Sequence, residues 1–178
     1  MPKLRELKIV VSGNASKGEL LMVLKGQPFP ERYVPSIVEN YTQYVTFNNV
    51  NYKIHVWQTV SEDKDDRLRP LSYSDANAVL LVCDLTSRTT FSNLSDKWLK
   101  EIDEYCPDGK IILIGINLDL RESGNPDHVT DQEAEQFVKE NKCATYIPCS
   151  ARTGEGIDKI FPAAITAFES KKESCIIC

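Results

Sequence analysis

The residues best placed to do chemistry lie in a turn near the N-terminus, where the apolar stretch Leu7–Ser12 runs into Gly13, Asn14, Ala15, Ser16, Lys17 and Gly18. A strand, a glycine turn and a lysine before a helix are the parts of a phosphate-binding loop. That motif, G-x-x-x-x-G-K-[ST], has six steps from its first glycine to the lysine. Gly13 and Lys17 are separated by four steps. The sequence therefore predicts a degenerate phosphate-binding loop.

Two further positions of this loop depart from the motif. Ser16 replaces the second glycine, and Gly18 stands where the motif has Ser or Thr. The hydroxyl of that Ser or Thr is a Mg²⁺ ligand, which glycine lacks. Taken by itself, the stretch favours an ordinary turn between a strand and a helix.

Composition narrows the class of protein. The chain has 178 residues, of which 42% are hydrophobic, and this suits one domain. A net charge of -5 disfavours a nucleic-acid binder, which would need a basic face. No apolar run approaches the roughly 20 residues of a membrane span, and Met1–Glu6 lacks the apolar core of a signal peptide. We therefore expect a cytoplasmic chain whose cysteines are free thiols.

Hydrophobic patterning predicts the sheet. Near-continuous apolar runs are typical of strands that are covered on both faces, as in a parallel sheet. Such runs are found at 7–12, 78–84, 110–115 and 144–149. The segment 44–57 alternates around Asn48-Asn49, which predicts an antiparallel edge hairpin.

Helical patterns lie between these strands. Spacings of three and four residues predict helices at 17–25 and 91–105, and Thr130 with Glu133 forms a capping box that opens a helix to about residue 141. A last helix is predicted over 156–170, where Pro162 indicates a kink or a late start.

This order predicts one doubly wound α/β domain over residues 1–170, followed by a tail, 171–178. We expect a mostly parallel six-stranded sheet, one antiparallel edge strand and about five helices. Ligands of such sheets bind beyond the carboxyl ends of the strands. Four segments then share one rim: Ser12–Lys17, Gln58–Ser61, Asn117–Asp119 and Ser150–Arg152.

Four strings in fixed order carry a family resemblance: FPERYVPSIVENY (29–41), DRLRPLSY (66–73), NLDLR (117–121) and CSA (149–151). Together they resemble a Rho-family small GTPase of the Ras superfamily, over nearly the whole chain. The segment 121–129 is too short for the extra helix that most Rho proteins carry there.

The resemblance implies a guanine-binding half of the site. Phe29 would lie against the base, Asp119 would accept hydrogen bonds from N1 and the exocyclic amine, and Ser150 and Ala151 would approach O6. Arg152 belongs to the same predicted nucleotide-binding set. Asn117 replaces the lysine that usually packs along the base, which weakens this half.

The resemblance also implies losses in the phosphate and metal half. The D-x-x-G of the second switch is Gln58-Thr-Val-Ser61, and Glu62 stands at the position of the catalytic glutamine. A carboxylate there disfavours the terminal phosphate. Ser36 is a weak metal candidate, and Lys17 still offers one positive charge. We expect no intact catalytic residue, GTP or GDP binding that is weak or not required, and a doubtful Mg²⁺ site.

Partners are implied by the same family. The first switch, with Tyr33, Val34, Pro35, Ser36, Ile37, Val38, Glu39, Asn40 and Tyr41, would contact protein effectors or regulators. Cys175-Ile-Ile-Cys178 has the C-a-a-X form, which predicts prenylation of Cys175, with farnesyl favoured. One lipid chain holds a membrane only loosely. No nucleic-acid partner is expected.

Three functions compete on this sequence. The first is a signalling pseudo-GTPase that presents its switch surface without cycling. The second is a GTP-binding switch with slow hydrolysis. The third, a dinucleotide-binding oxidoreductase, fails because no G-x-G-x-x-G follows the first strand.

Overall fold

Six strands form one sheet in the computed structural model, which describes residues 4–32, 40–59 and 67–176, with side chains as far as residue 170. The strands are β1 (Arg5–Ser12), β2 (Tyr41–Phe47), β3 (Val50–Gln58), β4 (Ala78–Asp84), β5 (Lys110–Ile116) and β6 (Thr145–Pro148). Their order is β2-β3-β1-β4-β5-β6. Only the β2–β3 pair among these strands is antiparallel, so the predicted sheet is confirmed.

The antiparallel pair turns at the predicted place. Phe47 pairs with Val50, and the two residues between them, Asn48 and Asn49, have φ angles of 49° and 61°. Two consecutive positive φ angles are what a tight hairpin needs, and asparagine tolerates them better than most residues. The local turn therefore fixes the register of the edge hairpin.

The helices lie on both faces of the sheet. They are α1 (Gly18–Leu24), α2 (Arg69–Tyr73), α3 (Arg88–Asn93), α4 (Leu99–Tyr105), α5 (Asp131–Glu140) and α6 (Ile160–Ile176). A π-helical segment, Leu94–Trp98, joins α3 to α4 without a break, so the described residues form five helical units. Sequence patterning did not locate α2, because a helix of five residues is too short to show a period.

The start of α5 and the bounds of α6 can be compared with the sequence predictions. Thr130 and Glu133 form both hydrogen bonds of the capping box, so α5 begins where predicted. α6 starts late, at Ile160, with Pro162 in its first turn, and a 3-10 turn, Ile157–Lys159, precedes it. The helix then continues to Ile176, beyond the predicted end at Ser170.

Two apolar layers cover the sheet because alternate residues of a strand face opposite sides. On β1, Ile9 and Val11 pack with α1 and α6, whereas Val10 packs with α3, α4 and α5. Residues 121–129 form turns before α5 and contain no helix. Among the described helices, none has the length and apolar character required to cross a membrane.

Candidate functional site

The carboxyl ends of the parallel strands bring the predicted rim together. β1 ends at Ser12, β3 at Gln58 and β5 at Ile116, just before Asn117. The strand order reverses at β1, which lies between β3 and β4, and this is where doubly wound sheets bind ligands. The rim is confirmed for these segments, while residues 60 and 61 lie outside the described part.

The predicted phosphate loop is packed against the neighbouring strand. Gly13 has a φ of +115°, and a Cβ added there would collide with the backbone carbonyl oxygen of Val82 in β4. Ala15 is buried as well, and Ser16 is exposed. The glycine therefore serves a close approach of two backbones, in a conformation that other residues rarely adopt.

Lys17 is directed into its own loop. Its Nζ donates a hydrogen bond to the carbonyl oxygen of Gly13 at 2.5 Å, and the residue is 1% exposed. Burial, aided by the positive charge of Arg69, lowers the pKa of the Lys17 ammonium to about 8. A lysine that binds phosphate must present its charge to the ligand, whereas this charge lies inside the protein.

The start of α1 lacks the metal-binding hydroxyl. Lys17 is the N-cap residue, without a side-chain capping bond, and Gly18 is the first helical residue. Asn14 Oδ1 is buried and has no hydrogen-bond partner among the described residues. Mg²⁺ prefers oxygen ligands such as carboxylates and hydroxyls, and Gly18, at the motif's Ser or Thr position, offers no side-chain oxygen.

A buried polar network extends from this loop to α2 and α4. Ser12 Oγ and Tyr73 Oη are 2.6 Å apart, and Tyr73 Oη donates to Glu101 Oε1 at 2.9 Å. Arg69 Nε lies 2.9 and 2.8 Å from the two oxygens of Glu101. The Arg69 guanidinium lies over the ring of Trp98, at 5.1 Å from its centroid.

Sequence reasoning missed this network. The Arg69 and Glu101 side chains are 3% and 12% exposed, so the pair is shielded from solvent. Burial also raises the pKa of the Tyr73 hydroxyl. One residue could have indicated it from the sequence: Ser12 ends β1 inside an apolar run, and a buried hydroxyl needs a hydrogen-bond partner.

The base side of the rim retains the acceptor predicted for guanine. Asp119 lies in a 3-10 turn, Leu118–Leu120, and Asp119 Oδ1 accepts a hydrogen bond from Ser150 Oγ at 2.7 Å. Ser150 is fully buried, and its Oγ also accepts from the backbone N–H of Thr153 at 3.1 Å. The serine therefore orients the carboxylate from a fixed turn.

Asn117 is positioned by its backbone and by a second acid. It has a φ of 62°, and Nδ2 donates to Asp84 Oδ2 at 2.8 Å. Asp84 ends β4, and its other oxygen accepts from the N–H and the hydroxyl of Thr86. Asp84 was absent from the predicted site, although an acid at the carboxyl end of a parallel strand indicates a position on the rim.

Phe29 and Arg152 meet above Asp119. The Arg152 guanidinium lies 5.0 Å from the centroid of the Phe29 ring, and its Nε is 3.6 Å from Asp119 Oδ2. Ala151, between Ser150 and Arg152, is half-buried. The base-side residues predicted from the sequence are thus brought together by the structure.

The fit to a guanine nucleotide differs between the two halves. Asp119, Ser150 and Phe29 suit a flat base with two N–H donors. The phosphate loop does not suit a triphosphate with Mg²⁺, because Lys17 is turned inward and Gly18 has no hydroxyl. No group of three or more His, Cys, Asp or Glu side chains suited to a metal occurs in the described ranges.

Several predicted positions lie outside the described residues. These are Ser61 and Glu62 of the second switch, and Tyr33, Val34, Pro35, Ser36, Ile37, Val38 and Glu39 of the first. The described end of the first switch is Asn40 and Tyr41. Asn40 Oδ1 accepts from the backbone N–H of Gln58 at 3.4 Å. Cys175 lies in α6, and its side chain is also outside the described part.

Comparisons with known proteins show which family this chain is similar to. A family model described as Ras family matches residues 8–170. "Ras-like GTP-binding protein RHO1" of Entamoeba histolytica is 36% identical over 171 residues, covering 94% of this chain and 79% of that protein. "GTP-binding protein rho4" of Schizosaccharomyces pombe is 34% identical, with 97% and 93% covered. "Rho-related protein racE" of Dictyostelium discoideum is 37% identical, with 89% and 75% covered.

Proposed function

Because the chain belongs to the Ras family of small GTPases and is similar to its Rho members, we propose that it is an atypical Rho-like signalling protein that acts as a pseudo-GTPase. It binds guanine nucleotide weakly or not at all, hydrolyses GTP negligibly, and works through protein contacts of its switch regions. The observation that carries this proposal is Lys17, which is buried and hydrogen-bonded to Gly13 inside the shortened loop.

The affinity lost at the phosphates is large enough to matter. Two missing charge-assisted N–H contacts are worth about 1.5 to 3 kcal/mol each, so roughly 3 to 6 kcal/mol together. That is roughly two to four powers of ten in the dissociation constant. Gly18 removes a Mg²⁺ ligand in addition, and the metal normally neutralises the β and γ phosphates. Weak or absent nucleotide binding follows.

Hydrolysis depends on groups that the sequence replaces. Glu62 takes the place of the glutamine that orients the attacking water, and Ser61 takes the place of the glycine whose N–H contacts the terminal phosphate. A carboxylate near that phosphate repels it. We therefore propose no catalytic residue in this chain.

Contacts with proteins are proposed on the surface beside the second switch. Leu68 and Leu71, at and within α2, are 62% and 67% exposed, although both are large and apolar. Exposed apolar side chains that lie together mark interaction surfaces more often than isolated ones do. Together with residues 33–41, α2 is the proposed contact surface for effectors or regulators. The proposed process is cytoskeletal signalling.

A lipid anchor completes the proposal. Cys175 in the sequence Cys175-Ile-Ile-Cys178 is the proposed prenylation site, with farnesyl favoured. A single chain gives marginal, reversible binding, so the protein would be cytoplasmic and loosely attached to the cytoplasmic face of a membrane. Mass spectrometry of the chain from a eukaryotic host tests this, because Cys175→Ser must lose the lipid mass.

The nucleotide content of the purified protein tests the central proposal. The protein is purified without added nucleotide and denatured, and the supernatant is assayed for GDP and GTP by chromatography. We expect far less than one nucleotide per chain. A stoichiometric amount would overturn the pseudo-GTPase proposal.

A second candidate function, a GTP-binding switch with slow hydrolysis, is favoured by the base side of the rim. The hydrogen bond from Ser150 to Asp119 and the contact of the Phe29 ring with Arg152 support this candidate. Titration calorimetry with GTP and Mg²⁺, together with thermal unfolding, separates the candidates. A tight ligand must raise the melting temperature, so the absence of both heat and stabilisation rejects the switch.

A further inference from the structure

Arg152 contacts two of the residues that a guanine base would use. Its guanidinium carbon lies 5.0 Å from the centroid of the Phe29 ring. Its Nε forms an ion pair with Asp119 Oδ2 at 3.6 Å, while Ser150 donates to the other Asp119 oxygen at 2.7 Å. Both oxygens of the Asp119 carboxylate therefore have partners within the chain.

The chemistry of the guanidinium resembles that of the base. Guanine presents neighbouring N–H donors in one plane, which a carboxylate accepts as a pair. A guanidinium is also planar, carries N–H donors in a fixed fork and stacks on aromatic faces. Arg152 thus places a planar cation on the Phe29 ring and a positive charge beside the Asp119 carboxylate, although the 3.6 Å contact is an ion pair and not a hydrogen bond.

We propose that Arg152 is an intramolecular substitute for the guanine base, which uses Asp119 and Phe29 in the nucleotide-free protein and competes with guanine for them. The inference rests on the proposed function in one respect: it concerns a chain that spends most of its time without nucleotide. It adds a cause of weak binding on the base side, separate from the defects of the phosphate loop.

The exposure of Arg152 determines how strongly it competes with guanine. The Arg152 side chain is 63% exposed, and 3.6 Å is longer than a hydrogen bond. Exposed ion pairs and exposed cation–π contacts are both weak. Removal of Arg152 should therefore strengthen guanine binding about fivefold, which corresponds to about 1 kcal/mol.

Guanosine is the probe, because it lacks phosphate and reports the base subsite alone. Wild type and Arg152→Ala are titrated with guanosine and followed by ¹H–¹⁵N NMR. We expect a dissociation constant about fivefold lower for Arg152→Ala, since about 1 kcal/mol is recovered. Adenosine, which lacks the donor pair for Asp119, should show no gain. Lys159→Ala removes an exposed positive charge elsewhere and should match wild type.

Each other result overturns the proposal. Weaker guanosine binding by Arg152→Ala would mean that the arginine supports the base. Equal binding, or no binding by either protein, would mean that Arg152 does not occupy the subsite. A second measurement uses the wild type alone. The Nε–H signals should show that the Arg152 side chain is less mobile than that of the exposed Arg67. Equal mobility of the two side chains would also refute the proposal.

The two proposals fail in different experiments. Stoichiometric nucleotide in the purified wild type would end the pseudo-GTPase proposal. The guanosine comparison is then made on protein stripped of nucleotide, and it still decides the role of Arg152.

Discussion

The phosphate half and the base half of the rim use their polar groups in opposite ways. In the phosphate half, Lys17 and Ser12 are buried and bonded to groups of the protein itself. In the base half, Asp119 remains near the surface, and its neighbour Arg152 is 63% exposed. Buried polar groups stabilise a fold only while they are paired, whereas groups at the surface remain available to a ligand. In the phosphate half these paired groups contribute to the fold, whereas in the base half the Arg152 side chain lies at the surface.

This contrast makes a general expectation for mutagenesis. Substitutions in the phosphate half should change the free energy of unfolding and leave guanosine binding unaltered. Substitutions in the base half should change guanosine binding and cost less stability.

Glu101→Ala should cause the largest loss. It removes the Glu101 carboxylate from its ion pair with the buried Arg69, and breaking a buried ion pair on one side costs about 3 to 5 kcal/mol. Denaturant unfolding at neutral pH measures it. The double variant Arg69→Met with Glu101→Leu should lie within about 1 kcal/mol of wild type. A double variant as unstable as the single one would contradict this account of the network.

Gly13→Ala should lower the free energy of unfolding by about 3 kcal/mol, because an unfavourable φ and a clash add. The clash is with the Val82 carbonyl. Gly26→Ala is the matched control: its φ of +81° is also positive, but nothing lies within 4 Å of the added Cβ. We expect about 1 kcal/mol there, from strain alone. Equal losses at the two glycines would show that the packing of the loop against β4 contributes nothing.

Lys17→Met should raise the free energy of unfolding at pH 7 by about 2 kcal/mol. Lowering the lysine pKa from 10.5 to about 8 corresponds to roughly 3 kcal/mol. Loss of the hydrogen bond to Gly13 offsets about 1 kcal/mol of this gain. Chemical denaturation at pH 7 measures the net effect, and Lys159→Met, at an exposed lysine, should change little.

The advantage of Lys17→Met must shrink at high pH. Between pH 8 and 10.5 the folded lysine has released its proton while the unfolded one keeps it. The unfolded state then binds more protons, so the stability of wild type rises with pH relative to the variant. A difference that stays constant over this range would mean that the lysine is charged and solvated in the folded protein.

Ser150→Ala should cause the smallest loss, about 1 kcal/mol, because it removes two part-buried hydrogen bonds, to Asp119 and from the Thr153 N–H, worth about 0.5 kcal/mol each. It removes the donor to Asp119 Oδ1, which lies 2.7 Å away. Guanosine binding should weaken in the same variant, because the carboxylate loses its orientation. Glu101→Ala, measured where it is folded, should leave guanosine binding unchanged. If Glu101→Ala weakened guanosine binding and Ser150→Ala did not, the distinction between the two halves would be wrong.

Sequence patterning predicted most of the fold because its signals are local. Ala78–Asp84 is a strand over the predicted residues, and the capping box at Thr130 opens α5 as expected. The extent of α6 was underestimated because charged residues near the C-terminus break the apolar pattern without ending a helix. The short α2 showed no pattern at all.

What the sequence alone determined is the family, the order of the strands and of the longer helices, and the glycine at position 18 where the phosphate-loop motif has Ser or Thr. Residue identities and their spacing along the chain suffice for each of these. Only the tertiary structure decided that Lys17 turns toward Gly13, that Ser12 is linked to Glu101 through Tyr73, and that Arg152 lies over Phe29. These contacts join segments that are distant in the chain, or depend on burial that local patterns do not report, and packing of the sheet against its helices sets them.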